Sequence, residues 1–401
     1  MFNLSHVLEQ AKQDANWVIG IRRQLHLHPE LGFDLPKTSE LVRNTLRELD
    51  IPFQYPVAES GVVAQIGSSG RCVALRADMD ALPIHEEADI EFRSQQSGKM
   101  HACGHDCHTS MLLGAAKILK GMEGQLPGII KLIFQPAEET GGGAARMIEE
   151  GVLRNPDVQR IFGIHVWPMA NTTTGTICGR KDGMLAAVGS FRLRVRGLGG
   201  HGAFPHTVQD PILAAAQIVT ALQSIVSREC DPVKPSVISV TSISGGSTYN
   251  VIPDEVEMRG TIRSLELKGI DALRHSILRV ATSVAEAMRC TVSFDKGENE
   301  TEYPPTANDL HCRELAKSVA REYVGDRQVV EIDPVMGAED FSFYAKHAKA
   351  CFIGLGIFNP DIGATAMVHN SKFKVDEAAL HLGTAMHVGF ALRSLEEFST
   401  P

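Results

Sequence analysis

Between His101 and His108 the chain carries His101, Cys103, His105, Asp106, Cys107 and His108, separated only by Ala102 and Gly104. Thiolate, imidazole and carboxylate donors together suit zinc, manganese, cobalt or nickel, whereas calcium and magnesium prefer oxygen alone. Cys-x-His is not the Cys-x-x-Cys spacing of a zinc ribbon, and no second cysteine pair stands at knuckle spacing. The remaining ligands must therefore come from distant parts of the chain. A local cluster completed from afar points to a catalytic site with an open position rather than a closed structural one. The plain alternative is a polar loop whose histidines satisfy backbone groups.

Further donors recur at the ends of apolar runs. Asp80 follows the run 72–77, where open α/β sheets keep their sites, and is a candidate for orienting a metal-bound histidine. Glu138 and Glu139 follow the run 129–134, and two adjacent buried carboxylates are costly without a compensating cation. In a loop the two point different ways, so one could bind metal while the other accepts a proton from water. His165 closes the run 161–166, and His369 leaves a loop after Met367-Val368. Farther out, His201 and His206 lie in a glycine-rich turn, and Asn250 and Arg263 could present donors to an anionic substrate. Arg263 would do so by a bidentate grip on a carboxylate.

The elements that must hold these groups read as follows. Helical spacing covers 4–27, 39–49, 109–119, 144–150, 309–323 and 377–392, and strand-length apolar runs cover 61–66, 72–77, 129–134, 161–166 and 351–357. Arg22, Arg23, His26 and His28 read as a solvated helix end. From residue 190 the pattern changes to alternation: Phe191, Leu193 and Val195 are separated by Arg192, Arg194 and Arg196, marking a sheet with one wet face. A helix at 210–228, strands at 236–243 and 255–263, a helix at 271–288 and a strand at 291–294 complete a β-α-β-β-α-β, ferredoxin-like insert. The expected fold is thus α/β: a catalytic domain with a mixed central sheet flanked by helices, in segments 1–186 and 298–401, interrupted by an α+β domain at 187–297.

At 401 residues, two domains are the natural expectation. A net charge of −9 disfavours nucleic acid. The first residues have neither the basic start nor the apolar stretch of a signal peptide or anchor, so the expectation is a cytoplasmic chain with no membrane partner. Eight cysteines scattered along a long chain are expected as free thiols.

Taken in order, the segments 23–32, 76–83, 100–109, 134–143, 163–168, 199–206, 249–264, 337–341 and 368–370 closely resemble the aminoacylase/carboxypeptidase family of metal-dependent amidohydrolases. The branch is that of hippurate hydrolases, N-acyl-amino-acid amidohydrolases and auxin-conjugate hydrolases. The resemblance implies two divalent transition-metal ions, manganese or zinc with nickel or cobalt as alternatives, held by Cys103, His105, Glu139, His165 and His369, with Glu138 as general base. It implies that the insert is a lid pairing subunits into a homodimer or dimer of dimers, and that His201 steadies the oxyanion in a partner's site. Asn250 and Arg263 fall where the family contacts substrate. The implied reaction is hydrolysis of N-acyl amino acids. A dipeptidase or carboxypeptidase and an N-acetyl-diaminopimelate deacetylase are the alternatives, and a metal-binding protein without turnover is the rival from another class. Two departures stand out. Cys107 replaces a usual glycine, placing a second, oxidation-sensitive thiol near the site. Asp78 replaces a histidine ligand of the wider family, which leaves the part played by Asp80 open.

Overall fold

A computed structural model describes residues 2–266, 268–296 and 302–399. The chain divides into two compact units. The large one comprises Met1–Asp182, Ala307–Asp333 and Asp340–Pro401, and the small one Gly183–Thr306 and Pro334–Glu339.

In chain order the large unit begins with helices α1 (Leu4–Gln13), α2 (Ala15–Leu27) and α3 (Pro36–Glu48). The single helix expected over 4–27 is two, parted at Asp14, whose N–H still closes the first on Gln10 O. Strands β1 (Phe53–Val57), β2 (Gly61–Ile66) and β3 (Cys72–Asp78) lead to helix α4 (His105–Gly121). Strand β4 (Ile129–Gln135), helix α5 (Gly143–Glu149) and strands β5 (Val158–Trp167) and β6 (Ile177–Gly179) follow. The small unit supplies β7 (Ala187–Arg196), α6 (Pro211–Ser224), β8 (Ser236–Ser244), β9 (Glu255–Ser264), α7 (Gly269–Ala287) and β10 (Thr291–Asp295). The chain then returns through α8 (Leu310–Val324), β11 (Val329–Glu331), β12 (Lys349–Gly356) and α9 (Leu380–Ser399).

The large unit is built on a mixed eight-stranded sheet in the order β1-β2-β4-β3-β5-β12-β6-β11. Strands β4, β3, β5 and β12 run parallel at its centre. All seven residues of β3 and of β4 are buried, as their continuous apolar runs require of strands covered on both faces. Helices α4 and α9 pack on each other and over β3 and β5, where each buried Leu, Ile or Phe contributes about 1.5–3 kcal/mol. This parallel centre brings the carboxyl ends of β3, β4 and β5, with Asp78, Gln135 and His165, to one side of the sheet, the place where such sheets keep their ligands.

The small unit is a four-stranded antiparallel sheet in the order β8-β9-β7-β10. Phe191, Leu193 and Val195 of β7 are buried against its helices, while Arg192 and Arg194 on the opposite face pair with Asp295 and Glu257. No helix among the described residues is long and apolar enough to cross a membrane.

Candidate metal centre

The Cys/His stretch is a turn running straight into a helix, which corrects the reading of 101–108 as a loop. Gly104 is the N-cap of α4 with φ of 89°, and His105, Asp106, Cys107 and His108 form the helix's first turn. Only glycine fits there: the conformation is left-handed, and a Cβ would come within 2.4 Å of Val166 Cγ2. The close approach brings Cys103 to the end of β5, where its Sγ lies 3.3 Å from His165 Nε2.

Five candidate ligands, Cys103, His105, Glu139, His165 and His369, converge with Glu138 beside them. Within each of three overlapping groups, Cys103–His105–His165, Cys103–Glu139–His369 and His105–Glu138–Glu139, the ligand atoms all lie within 4.8 Å of one another. Glu139 Oε1 is 3.2 Å from His369 Nε2 and 3.9 Å from His105 Nε2. Two non-glycine residues at the site adopt left-handed backbone, Ala137 at φ 54° and His369 at φ 63°. Such conformations cost about 1–3 kcal/mol and persist only where the surroundings impose them. The His369 N–H donates to Ala102 O at 2.7 Å, and the Ala137 N–H to Gly32 O at 3.1 Å.

Asp80 is fully buried and braces the ligands. Its Oδ1 accepts from Glu138 N–H at 3.1 Å and its Oδ2 from Glu139 N–H at 3.2 Å, while His105 Nδ1 approaches Oδ1 at 3.3 Å. Glu138 is steadied from another side by Asp340, whose N–H donates to Glu138 Oε1 at 3.3 Å. The Asp340 carboxylate accepts from Arg76, Gln135 and the Ala144 N–H; burial lifts it to about 6 against the pull of Arg76.

Electrostatics argue for a cation. Burial disfavours charge on His105, yet the carboxylates of Asp78, Asp80 and Glu139 outweigh it and lift the imidazole to about 10. Burial and then Glu139 and Glu138 drive the Cys103 thiol well above its ordinary value, and burial keeps His165 neutral. Both ring nitrogens of His105 and Oε1 of Glu139 are buried without a hydrogen bond of good geometry. Orphaned buried donors of this mixture fit a divalent metal.

The remaining candidates lie in the small unit. His201 pairs with Val251 in a two-residue antiparallel contact, and the Gly202 N–H donates to Asn250 O at 2.8 Å, so His201 and Asn250 are neighbours. Both are exposed. The Ala203 N–H donates to His201 Nδ1 at 3.1 Å, which fixes the neutral ring with its proton on Nε2. Arg263 stands on β9 opposite Val188, donating to Met336 O at 2.9 Å; burial lowers its pKa.

Two expectations are corrected. Arg22 and His26 are no solvated helix end. Both are buried and grip Asp106 Oδ2, Arg22 Nε at 2.7 Å and His26 Nδ1 at 2.8 Å, while His26 Nε2 reaches Glu86 at 3.0 Å. Their i, i+4 spacing beside the apolar stripe Val18, Ile21 and Leu25 is the signal that could have found them. Cys107 is wholly buried inside α4, and burial followed by the Asp106 charge holds its thiol far above the range of a reactive thiolate. Arg76, His108 and Asp340 also surround the site without having been assigned a part in it.

This arrangement has close parallels. Residues 74–393 match peptidase family M20/M25/M40. An IAA-amino acid hydrolase ILR1-like 4 from Arabidopsis thaliana is 43% identical over 384 residues, covering 95% of this chain and 86% of that one. Thermostable carboxypeptidase 1 of Saccharolobus solfataricus is 41% identical over 398 residues, covering 96% and 98%. A crystal structure from Bacillus subtilis, described as a dinuclear metal binding peptidase from the M20 family, superposes with a TM-score of 0.83 at 33% identity, covering 96% and 99%. With a mixed sheet carrying clustered Cys, His and Glu at its strand ends, and with matches along nearly its whole length, this chain belongs to the M20/M25/M40 peptidase family.

Proposed function

We propose that the chain is a dinuclear metal amidohydrolase cleaving the amide bond of N-acyl amino acids to a carboxylic acid and a free amino acid. The observation that carries this reading is the convergence of Cys103, His105, Glu139, His165 and His369, with Glu138 beside them as a carboxylate the ligand set does not need. Those five residues hold two divalent ions, manganese or zinc first, nickel or cobalt as alternatives. Ions of this kind supply Lewis acidity, drawing down the pKa of water and polarising an amide carbonyl. Glu138 takes the proton of the attacking water and passes it to the leaving amine nitrogen. Asp80 is a positioning residue, holding His105 and the Glu138–Glu139 backbone. His201, with its proton on Nε2, serves as donor to the oxyanion in a partner subunit's site, and Asn250 and Arg263 take the substrate carboxylate.

We assign the small unit to a lid that pairs subunits into a homodimer or a dimer of dimers. Among the described residues, nine of the twelve exposed large hydrophobic side chains belong to it, including Ile212, Leu213, Ile243 and Val251. Among the described residues strand β8 is moreover an edge of its sheet. Exposed apolar patches and open edges are what association covers. The cytoplasm is the proposed location, supported by eight free thiols.

A second reading is favoured by the carboxypeptidase relative: a metallopeptidase that removes a carboxy-terminal residue. One panel separates them. The chain is stripped with chelator, resupplied with manganese, zinc, cobalt or nickel, and given N-acetyl, N-benzoyl and N-indoleacetyl amino acids alongside dipeptides. Metal-restored release of amino acid from the N-acyl compounds is the expected result. Cleavage confined to substrates with a free amine would transfer the assignment to the peptidase.

A further inference from the structure

His108 sits beside His105 and His165 yet has no nitrogen to give. Its Nδ1 lies 2.5 Å from Asp78 Oδ1, and the Val166 N–H donates to its Nε2 at 3.0 Å. An N–H arriving at Nε2 requires a lone pair there, so the ring is neutral with its proton on Nδ1, directed at Asp78. Asp78 is likewise fully engaged, its Oδ2 accepting from Arg76 and its backbone O from Thr109 Oγ1 at 2.9 Å. The group Asp78–His105–His108 has the composition of a metal site, but its hydrogen bonds commit it elsewhere.

Where they lead is to His165. The ladder between β3 and β5 ends at the pair Arg76–Gly163. Beyond that point Val166 has lost its neighbour on β3, though Leu355 of β12 still stands opposite it, and His108 Nε2 takes the buried Val166 N–H. The carbonyl of the same Val166 accepts from His165 Nδ1 at 2.7 Å. That second bond forces the His165 proton onto Nδ1 and leaves the Nε2 lone pair facing Cys103 Sγ. The His108 and His165 rings meet edge to face, with centroids 4.6 Å apart.

We infer that His108 is a positioning residue: together with Asp78 it pins the end of β5 through Val166, and Val166 in turn sets the tautomer and direction of His165. Metal-bound histidines are commonly oriented through a carboxylate or carbonyl on their second nitrogen, and loss of such a partner costs about 10–100-fold in metal affinity. Here the carbonyl is itself held by another histidine, so the support runs through backbone.

The inference rests on the proposed metal site, and one experiment separates the two. Cobalt is titrated into the full chain under chelator competition for the wild type, His108→Met and His108→Gln, with the metal-free unfolding midpoint of each recorded. The Met side chain fills the space but takes the hydrogen-bond partner away from the Val166 N–H and from Asp78 Oδ1, so one of the two ions should bind about 10–100-fold more weakly. The Gln amide can donate to Asp78 and accept from Val166, and should restore binding to within about threefold of wild type, as a preserved hydrogen-bond pair requires. A His108→Met chain that is folded and binds both ions as the wild type does would overturn the inference. So would a Gln variant as weak as Met, which is the mark of a lost ligand. Should the Met variant not fold, the cadmium-loaded wild type decides: cadmium coupling should appear on the His165 ring and be absent from His108, and coupling on His108 overturns the inference. A wild type that takes up no ion at His165 overturns the metal-site reading instead, whatever the variants do.

Discussion

His165 in the large unit and His201 in the small unit are both set by a backbone group one or two residues away, with opposite results. A carbonyl, that of Val166, accepts from His165 Nδ1 and leaves a lone pair on Nε2; an amide, that of Ala203, donates to His201 Nδ1 and leaves a proton on Nε2. The first ring is prepared to bind a cation and the second to donate to an anion. Their surroundings differ as sharply. The His165 side is braced by buried charges, Asp80, Asp78 with Arg76, and Asp106 with Arg22, whereas His201 and Asn250 stand exposed on a short turn. Burial and cross-bracing suit groups that must stay fixed around an ion, and exposure suits groups that meet a substrate.

Breaking the bracing should cost most. Arg22→Met leaves Asp106 buried without its cation and should destabilise the chain by about 3–5 kcal/mol, read from the urea midpoint. A change within 1 kcal/mol would show the cluster to be dispensable. On the exposed side, His201→Asn should lower kcat about a hundred- to a thousandfold, the usual loss for one oxyanion donor. Metal content and unfolding midpoint should not move, and a fall in metal content would erase the distinction between the two histidines. Asp80→Asn sharpens it from the other direction: metal affinity should weaken by about 10–100-fold in chelator competition.

The smallest effect is expected at Asp376, remote from both histidines in the chain. Burial pushes its carboxyl up, but hydrogen bonds from Asn359, Thr174 and the Ala378 N–H outweigh this and hold it below the ordinary range. A depressed folded value means the unfolded chain binds more protons. The stabilisation is therefore complete above about pH 4 and is lost as pH falls through the folded value. Asp376→Asn should cost about 1 kcal/mol at neutral pH, shrinking in acid, when unfolding midpoints of the two proteins are compared across pH.

Much of this was legible in the residues. The apolar runs of β3, β4 and β5 announced buried strands, and the alternation of β7 announced a half-wet sheet, because burial on two faces or one leaves different periods. The five converging candidate ligands and Glu138 are legible from strand ends and from the family resemblance. Other features depended on contacts that no local period records. The histidines of the first α4 turn read as loop because Gly104 hides a helix start. Arg22 and His26 read as surface because Asp106 and Glu86, the partners that permit their burial, lie far along the chain. The tautomers of His108, His165 and His201 depend on single backbone groups brought near by folding. Nothing in the segment 334–339 marked it as part of the small unit.

If the large unit's five candidate ligands hold divalent metal while Glu138 moves the proton, metal binding and turnover must come apart at Glu138. The decisive measurement counts bound metal and turnover in the same preparation of Glu138→Gln. The expected result is two divalent ions per chain, as in the wild type, with kcat on N-acyl amino acids lower by about a hundred- to ten-thousandfold. A variant that turns over like its parent would contradict it, as would a wild type that binds no divalent ion.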